Sequence, residues 1–168
     1  SRADQRENCQ TGVIWMKQIY RSTSAADTFS LGQKIAQKLK GGEVLCLFGP
    51  LGAGKTVLAK GIGQGLGISE EITSPTFNLI QEYDLEYGLK FVHMDLYRLR
   101  HPEEAEVIGV TDYFREDCIC LIEWPEIIED YLPEDKLTIR IEGSGELPRT
   151  IEIDNFLSRI DNNPGEGI

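Results

Sequence analysis

Gly49-Pro50-Leu51-Gly52-Ala53-Gly54-Lys55-Thr56 satisfies every position of a pattern made of Gly, four free positions, Gly-Lys, then Ser or Thr. The pattern has a physical purpose. Glycines let successive backbone N–H groups converge on an anion without clashing Cβ atoms. A helix that starts here adds the positive end of its dipole. Lys55 brings a point charge to the β and γ phosphates, and the Thr56 hydroxyl is placed for Mg2+. The flanks supply the required context. Residues 43–48, centred on Val44-Leu45-Cys46-Leu47-Phe48, form an apolar run of strand length. Residues 55–66 carry Leu58, Ile62 and Leu66 on one helical face, and alternate glycines at 61, 63, 65 and 67 are expected to dissolve the helix. Strand, loop, helix is the setting of a phosphate loop. The loop implies a nucleoside triphosphate with magnesium and specifies no reaction. The chain lacks the Asn/Thr-Lys-x-Asp motif usual in guanine-binding GTPases, which favours ATP, with ADP as product.

Outward from the loop, the chain alternates strand and helix patterns. Residues 16–20 read as a first strand, and Ser24-Ala25-Ala26-Asp27 as a capped helix start continued by Phe29, Gly32, Ala36 and Leu39. Residues 77–83 and 89–96 read as strands around a turn at Glu86-Tyr87-Gly88. Pro102-Glu103-Glu104 opens a helix with acids in its first turn, where the dipole favours them. Residues 118–123 form a buried strand, 125–131 a short helix, and 136–142 with 150–153 a closing hairpin. The alternation predicts an α/β fold: a three-layer, P-loop NTPase-like domain with a mixed, largely parallel central sheet and a C-terminal antiparallel hairpin. Residues 16–157 form the expected domain. Residues 1–15 read as a loose polar extension and 158–168 as a frayed tail.

Charge narrows the function. Of 168 residues, 17 are Lys or Arg and 28 are Asp or Glu, a formal net charge of −11. That argues against a surface that grips nucleic acid or anionic lipid as a whole, since phosphate binding needs clustered cations. Any service to nucleic acid is expected to run through a partner or one small patch. No apolar run approaches the roughly 20 residues that span a membrane, and no basic-then-apolar leader opens the chain, so a cytoplasmic location is expected. Cys46, Cys118 and Cys120 sit in apolar runs and read as small buried hydrophobes, with Cys118 and Cys120 on one strand face. Cys9 lies in the polar leader.

A P-loop enzyme needs a carboxylate at the end of a neighbouring buried strand. Phe91-Val92-His93-Met94-Asp95 and Cys118-Ile119-Cys120-Leu121-Ile122-Glu123 both end in an acid, and pattern alone does not rank them. They are able to divide the work, one on magnesium and one on the attacking water. Ser74-Pro75-Thr76-Phe77 lies where a switch loop sensing the γ-phosphate is usual, although a plain Ser-Pro turn has the same composition. Arg98 reads as a phosphate or partner contact or as a solvated strand end. His93 shares a face with Asp95 and reads first as a satisfied core histidine. Trp124 and Pro125 put a large aromatic beside the presumed site.

The order of phosphate loop, Ser74-Pro75-Thr76-Phe77, His93-x-Asp95-Leu96-Tyr97-Arg98-Leu99 and Ile122-Glu123-Trp124-Pro125 resembles the TsaE family, over about residues 19–153. TsaE proteins are small bacterial ATPases needed to make threonylcarbamoyladenosine in tRNA. The resemblance implies an ATPase that acts with TsaB and TsaD, the transferase pair, with hydrolysis driving or resetting that complex and tRNA met only through it. It implies that Gly52, Ala53, Gly54, Lys55, Thr56 and Val57 hold the phosphates, and that Thr56 and Glu123 ligate Mg2+. It further implies that Asp95 supports hydrolysis, Thr76 belongs to the switch loop, Trp124 is functionally important, and Arg149 lies near the nucleotide. Residues near Thr23 and Ser24 would close the adenine side. Two other classes compete: a small P-loop kinase acting on a metabolite, whose usual Arg-rich lid has no counterpart here, and a nucleotide-dependent binding module with negligible turnover.

Overall fold

A computed structural model describes residues 4–8, 13–75, 77–143 and 148–156. Among them, eight strands form one mixed sheet in the order β1-β2-β8-β7-β3-β6-β5-β4. The strands are β1 (Asp4–Asn8), β2 (Val13–Ser22), β3 (Val44–Phe48), β4 (Ile80–Asp84), β5 (Lys90–Asp95), β6 (Cys118–Glu123), β7 (Leu137–Glu142) and β8 (Arg149–Phe156). The parallel part is central: β7, β3, β6 and β5 run side by side in one direction. Antiparallel strands complete both ends, β4 on β5 and β8-β2-β1 beyond β7. No helix among the described residues is long and apolar enough to cross a membrane.

The expected mixed sheet and closing hairpin are present, and β8 links the hairpin to β2 along its full length. One expectation is corrected. Residues 1–15 are not all loose: Asp4–Asn8 pairs with β2, which already begins at Val13 rather than Met16. A backbone ladder needs no apolar period, and a short charged strand such as Asp4-Gln5-Arg6-Glu7-Asn8 is what sheet edges tolerate. Residues 1–3, 9–12 (with Cys9), Thr76, 144–147 and the tail 157–168 lie outside the described residues.

Alternation along the buried strands divides the core into two layers. Leu45 and Leu47 of β3, Phe91 of β5 and Ile119 and Leu121 of β6 pack under α1 (Ala25–Ala36) and α2 (Lys55–Gly65). Val44, Cys46, Val92, Met94, Cys118, Cys120 and Ile122 face the other way, against α3 (Glu103–Val107) and the 3-10 turns at Val110–Tyr113 and Pro125–Tyr131. The three cysteines are therefore buried thiols on one face, and burial pushes Cys46 and Cys120 up to about 12. At that height neither is a thiolate at neutral pH.

The glycines of α2 have a different purpose from the one expected. Gly61, Gly63 and Gly65 stay inside the helix rather than ending it. A Cβ on Gly61 would lie 2.2 Å from the Phe29 carbonyl oxygen, and one on Gly32 would lie 2.6 Å from that of Leu58. The two helices approach backbone to backbone, which only a missing side chain permits. This contact sets α2, and with it the phosphate loop, against α1. The helix ends at Gly65, close to the expected residue 66, with Gly67 in the left-handed region at φ +90°.

Candidate functional site

The site is built where β3, β6 and β5 end and α2 begins, the crevice at the carboxyl ends of parallel strands where α/β sheets bind ligands. Phe48 closes β3 and the chain turns through residues 49–54, with the Ala53 N–H donating to the Pro50 carbonyl at 3.2 Å. Gly54 has φ +98° and precedes α2 without a side-chain cap. The first N–H groups of a helix have no partner within it. Here they belong to Lys55, Thr56 and Val57, which with Leu51, Gly52 and Gly54 line a cavity of about 410 Å³. That cavity suits a nucleotide in size.

Lys55 is buried, and its Nζ donates to the Gly49 carbonyl at 2.8 Å while lying 3.7 Å from the centre of the Trp124 ring. Among the described residues no carboxylate forms an ion pair with it. Burial pushes its ammonium below the ordinary lysine value, against the opposing pull of Glu123, Asp95 and Glu126. A buried cation held by a carbonyl and a ring is prepared for an anion, and this is the observation that fits the site to a triphosphate. The Trp124 ring reaches Lys55 because its backbone is left-handed, φ 56° and ψ 52°. That conformation is uncommon for a bulky residue. Tyr97 braces the same ring from outside, with centroids 4.9 Å apart.

The parallel register of β5 and β6 sets Asp95 directly beside Glu123. Both line the cavity with Thr56 and Ser74, whose hydroxyls share a hydrogen bond of 3.1 Å. Glu123 is buried, and its Oε2 pairs with His93 Nε2 at 2.8 Å. Asp95 is half-buried, and its Oδ1 accepts from the Tyr97 N–H at 3.0 Å. Burial first, and the Glu123 charge after the opposing Tyr97 bond, hold the Asp95 carboxyl above the ordinary aspartate value. No group of three or more His, Cys, Asp or Glu that could hold a metal alone occurs among the described residues. Magnesium in a phosphate site needs no such cage: a hydroxyl, one or two carboxylates, phosphate oxygens and water suffice. Thr56, Glu123 and Asp95 fit that donor set.

The raised Asp95 carboxyl has a consequence for stability. The folded chain binds this proton more tightly than the unfolded chain does. Ionising Asp95 therefore costs stability above its folded pKa, and the cost vanishes below the ordinary aspartate pKa. Asp95→Asn keeps an oxygen for the Tyr97 N–H, so the nucleotide-free variant is expected to melt above the parent at pH 7. The gap closes as pH falls toward 4, read by thermal melts across that range. A variant that melts lower throughout would remove the claim of a buried, penalised charge.

Of the other residues singled out in the sequence, Arg149 arrives from the start of β8, paired with Ser22 of β2, and lines the cavity. A Cβ on Gly54 would lie 2.7 Å from Arg149 Nη1, so the loop glycine makes room for the guanidinium. Ala53 is buried and does not line this cavity. Ser24 does not line the cavity either: its Oγ caps α1 by accepting from the Asp27 N–H at 3.0 Å. Ala25 and Thr28, one turn along, face the cavity instead. Thr23 bonds Asp27 and stays at the surface. Arg98 is exposed and does not line the cavity. Thr76 lies outside the described residues, and its neighbour Phe77 is 92% exposed. Ser74 and its bond to Thr56 had no signal beyond the Ser-Pro motif.

Comparison with known proteins places this geometry among relatives. A family model described as "Threonylcarbamoyl adenosine biosynthesis protein TsaE" matches residues 22–151. The "tRNA threonylcarbamoyladenosine biosynthesis protein TsaE" of Bacillus subtilis (strain 168) is 41% identical over 137 residues, covering 81% of this chain and 85% of that protein. A protein of the same name from Haemophilus influenzae is 43% identical over 124 residues, covering 69% of this chain and 78% of that one. The crystal structure of Bacillus subtilus YdiB superposes with a TM-score of 0.68 at 34% identity, covering 83% of this chain and 85% of that chain.

Proposed function

The chain belongs to the TsaE family of threonylcarbamoyladenosine biosynthesis proteins, and from that membership we propose that it is a magnesium-dependent ATPase whose turnover drives or resets the TsaB–TsaD threonylcarbamoyl transferase. The observation that carries the enzymatic part is the pairing of Asp95 with Glu123 across β5 and β6, facing Lys55 and Thr56 over one cavity. A bare binding module has no use for two adjacent carboxylates, one of them pushed by burial above the ordinary aspartate value.

The residues divide the work by position. The N–H groups at the start of α2 and the Gly52–Gly54 loop hold the phosphates, and the Lys55 ammonium turns from Gly49 to the β and γ oxygens. The Thr56 hydroxyl and the Glu123 carboxylate would hold Mg2+, which would supply neutralising charge to the phosphates. Glu123 belongs to β6, next to the β3 strand that enters the loop, whereas Asp95 is one strand further out. Asp95 orients the attacking water and accepts its proton. Arg149 adds positive charge over Gly54, and Trp124 shields the site from solvent. Thr76 sits in the loop that senses the γ-phosphate, and Ala25 and Thr28 form the wall nearest the adenosine. The partners are TsaB and TsaD, and tRNA is met only through them, in keeping with a net charge of −11.

The test is phosphate release by the purified chain, alone and with a TsaB–TsaD pair. The expected result is magnesium-dependent release that rises when the pair is added. Phosphate appearing on a small acceptor supports the kinase reading instead, and tight binding without release in either condition supports a binding module.

A further inference from the structure

We propose that His93 is the positioning residue of the site: its Nε2–H fixes the Glu123 carboxylate in the orientation that receives Mg2+. The inference rests on the reading of Glu123 as the metal-side carboxylate. The geometry is specific. His93 is fully buried in the middle of β5, on the face that carries Asp95, and its Nε2 lies 2.8 Å from Glu123 Oε2. The ring is held in plane by Phe91, 6.3 Å away centre to centre and stacked at 26°. Phe91 is packed in turn by Tyr83 at 6.0 Å. Two aromatic side chains thus set the direction of the His93 hydrogen bond.

The direction of that bond follows from what else the ring touches. Among the described residues His93 Nδ1 is buried and has no hydrogen-bond partner. If the proton sat on Nδ1, a buried N–H would go unsatisfied, and Nε2 would need a protonated Glu123 as its donor. With the proton on Nε2, the only unpaired group is a lone pair, the smaller penalty, and the Nε2–H donates to the Glu123 oxygen. One carboxylate oxygen is then occupied by His93. The carboxylate otherwise faces only the cavity that it lines, since no other side-chain hydrogen bond to it forms among the described residues. Outer partners of this kind fix the orientation of metal ligands, and their loss weakens metal binding without removing a ligand. A core histidine placed only for packing would need neither the 2.8 Å bond nor a partner at the mouth of the site.

The test uses a fluorescent N-methylanthraniloyl ATP and reads the magnesium concentration for half-maximal tightening of its binding. Affinity in EDTA serves as the control for an intact loop. His93→Leu is expected to raise the half-maximal magnesium concentration about 10- to 100-fold, with EDTA affinity kept. His93→Gln, which offers an N–H at similar reach, is expected to restore most of it. The unmodified protein gives a reading independent of variant folding: the 15N spectrum should show His93 as the Nε2–H tautomer. Finding the Nδ1–H tautomer overturns the inference. So does an unchanged magnesium response in a folded His93→Leu when Glu123→Ala shifts it. If Glu123→Ala also leaves the magnesium response unchanged, the metal reading of Glu123 has failed instead.

Discussion

Lys55→Met is expected to lose tight triphosphate binding while leaving the nucleotide-free protein about as stable as the parent. Two charge-assisted contacts to phosphate oxygens, at about 1.5–3 kcal/mol each, correspond to a rise in Kd of on the order of 100-fold or more. Turnover falls as well, since removing one preorganised electrostatic group costs roughly 10²–10³ in kcat. Stability behaves differently because the ammonium is buried without an ion-pair partner among the described residues, and burial lowers its proton affinity. A buried charge whose proton affinity is lowered by folding is a cost of folding wherever the ammonium stays protonated. Methionine removes the cost and keeps the packed stem. It also gives up the Gly49 hydrogen bond and the contact with Trp124, each worth about 1 kcal/mol. The terms oppose each other, so thermal melts should show little change while titration calorimetry shows lost binding. A Lys55→Met protein that binds triphosphate like the parent would falsify the assignment of the loop.

The two carboxylates are expected to fail in different ways. Glu123→Ala should raise the magnesium requirement about 100-fold or more, since a direct ligand matters at least as much as the outer partners of such ligands. Asp95→Ala should leave the magnesium requirement near the parent value and lower kcat by roughly 10²–10⁴, the usual worth of a positioned general base. The distinction follows from strand order. Leu47 of β3 lies directly across from Glu123, so Glu123 neighbours the strand that leads into the loop, whereas Asp95 is separated from it by β6. Depth agrees: Glu123 is buried and tied to His93, and Asp95 is more open and tied to a backbone amide. The readouts are magnesium titrations of nucleotide binding and single-turnover phosphate release. An Asp95→Ala variant that no longer responds to magnesium, beside a Glu123→Ala variant that does, reverses the roles.

Much of this was legible along the chain because it depends on near neighbours. The phosphate loop is eight consecutive residues whose strand and helix follow directly, and both acids are visible as the ends of apolar runs. The closing hairpin and the capped start of α1 are local patterns too. The readings that needed correction were those in which a local pattern has two physical uses. Alternate glycines in α2 look like a helix coming apart, and serve instead to admit the backbone of α1 at Gly32. Ser24 carries two expectations, helix cap and adenine side, and its side chain serves the cap. The polar stretch Asp4–Asn8 looks loose and is an edge strand, because its partner is backbone.

Composition and order along the chain were enough for the class of fold and the family, since these rest on residue types at short, fixed spacings. Tertiary structure decided which groups act on one another. Asp95 and Glu123 are 28 positions apart and become neighbours through the parallel register of β5 and β6. Arg149 reaches Gly54 because β8 returns through the sheet beside β7 and β2. Trp124 meets Lys55 through a left-handed backbone that no side-chain pattern announces. His93 becomes a partner of Glu123 because two strands align it there and two aromatic rings hold it. The difference is one of range: a phosphate cradle is made by adjacent amides, whereas the charges that act around it are brought together by the sheet.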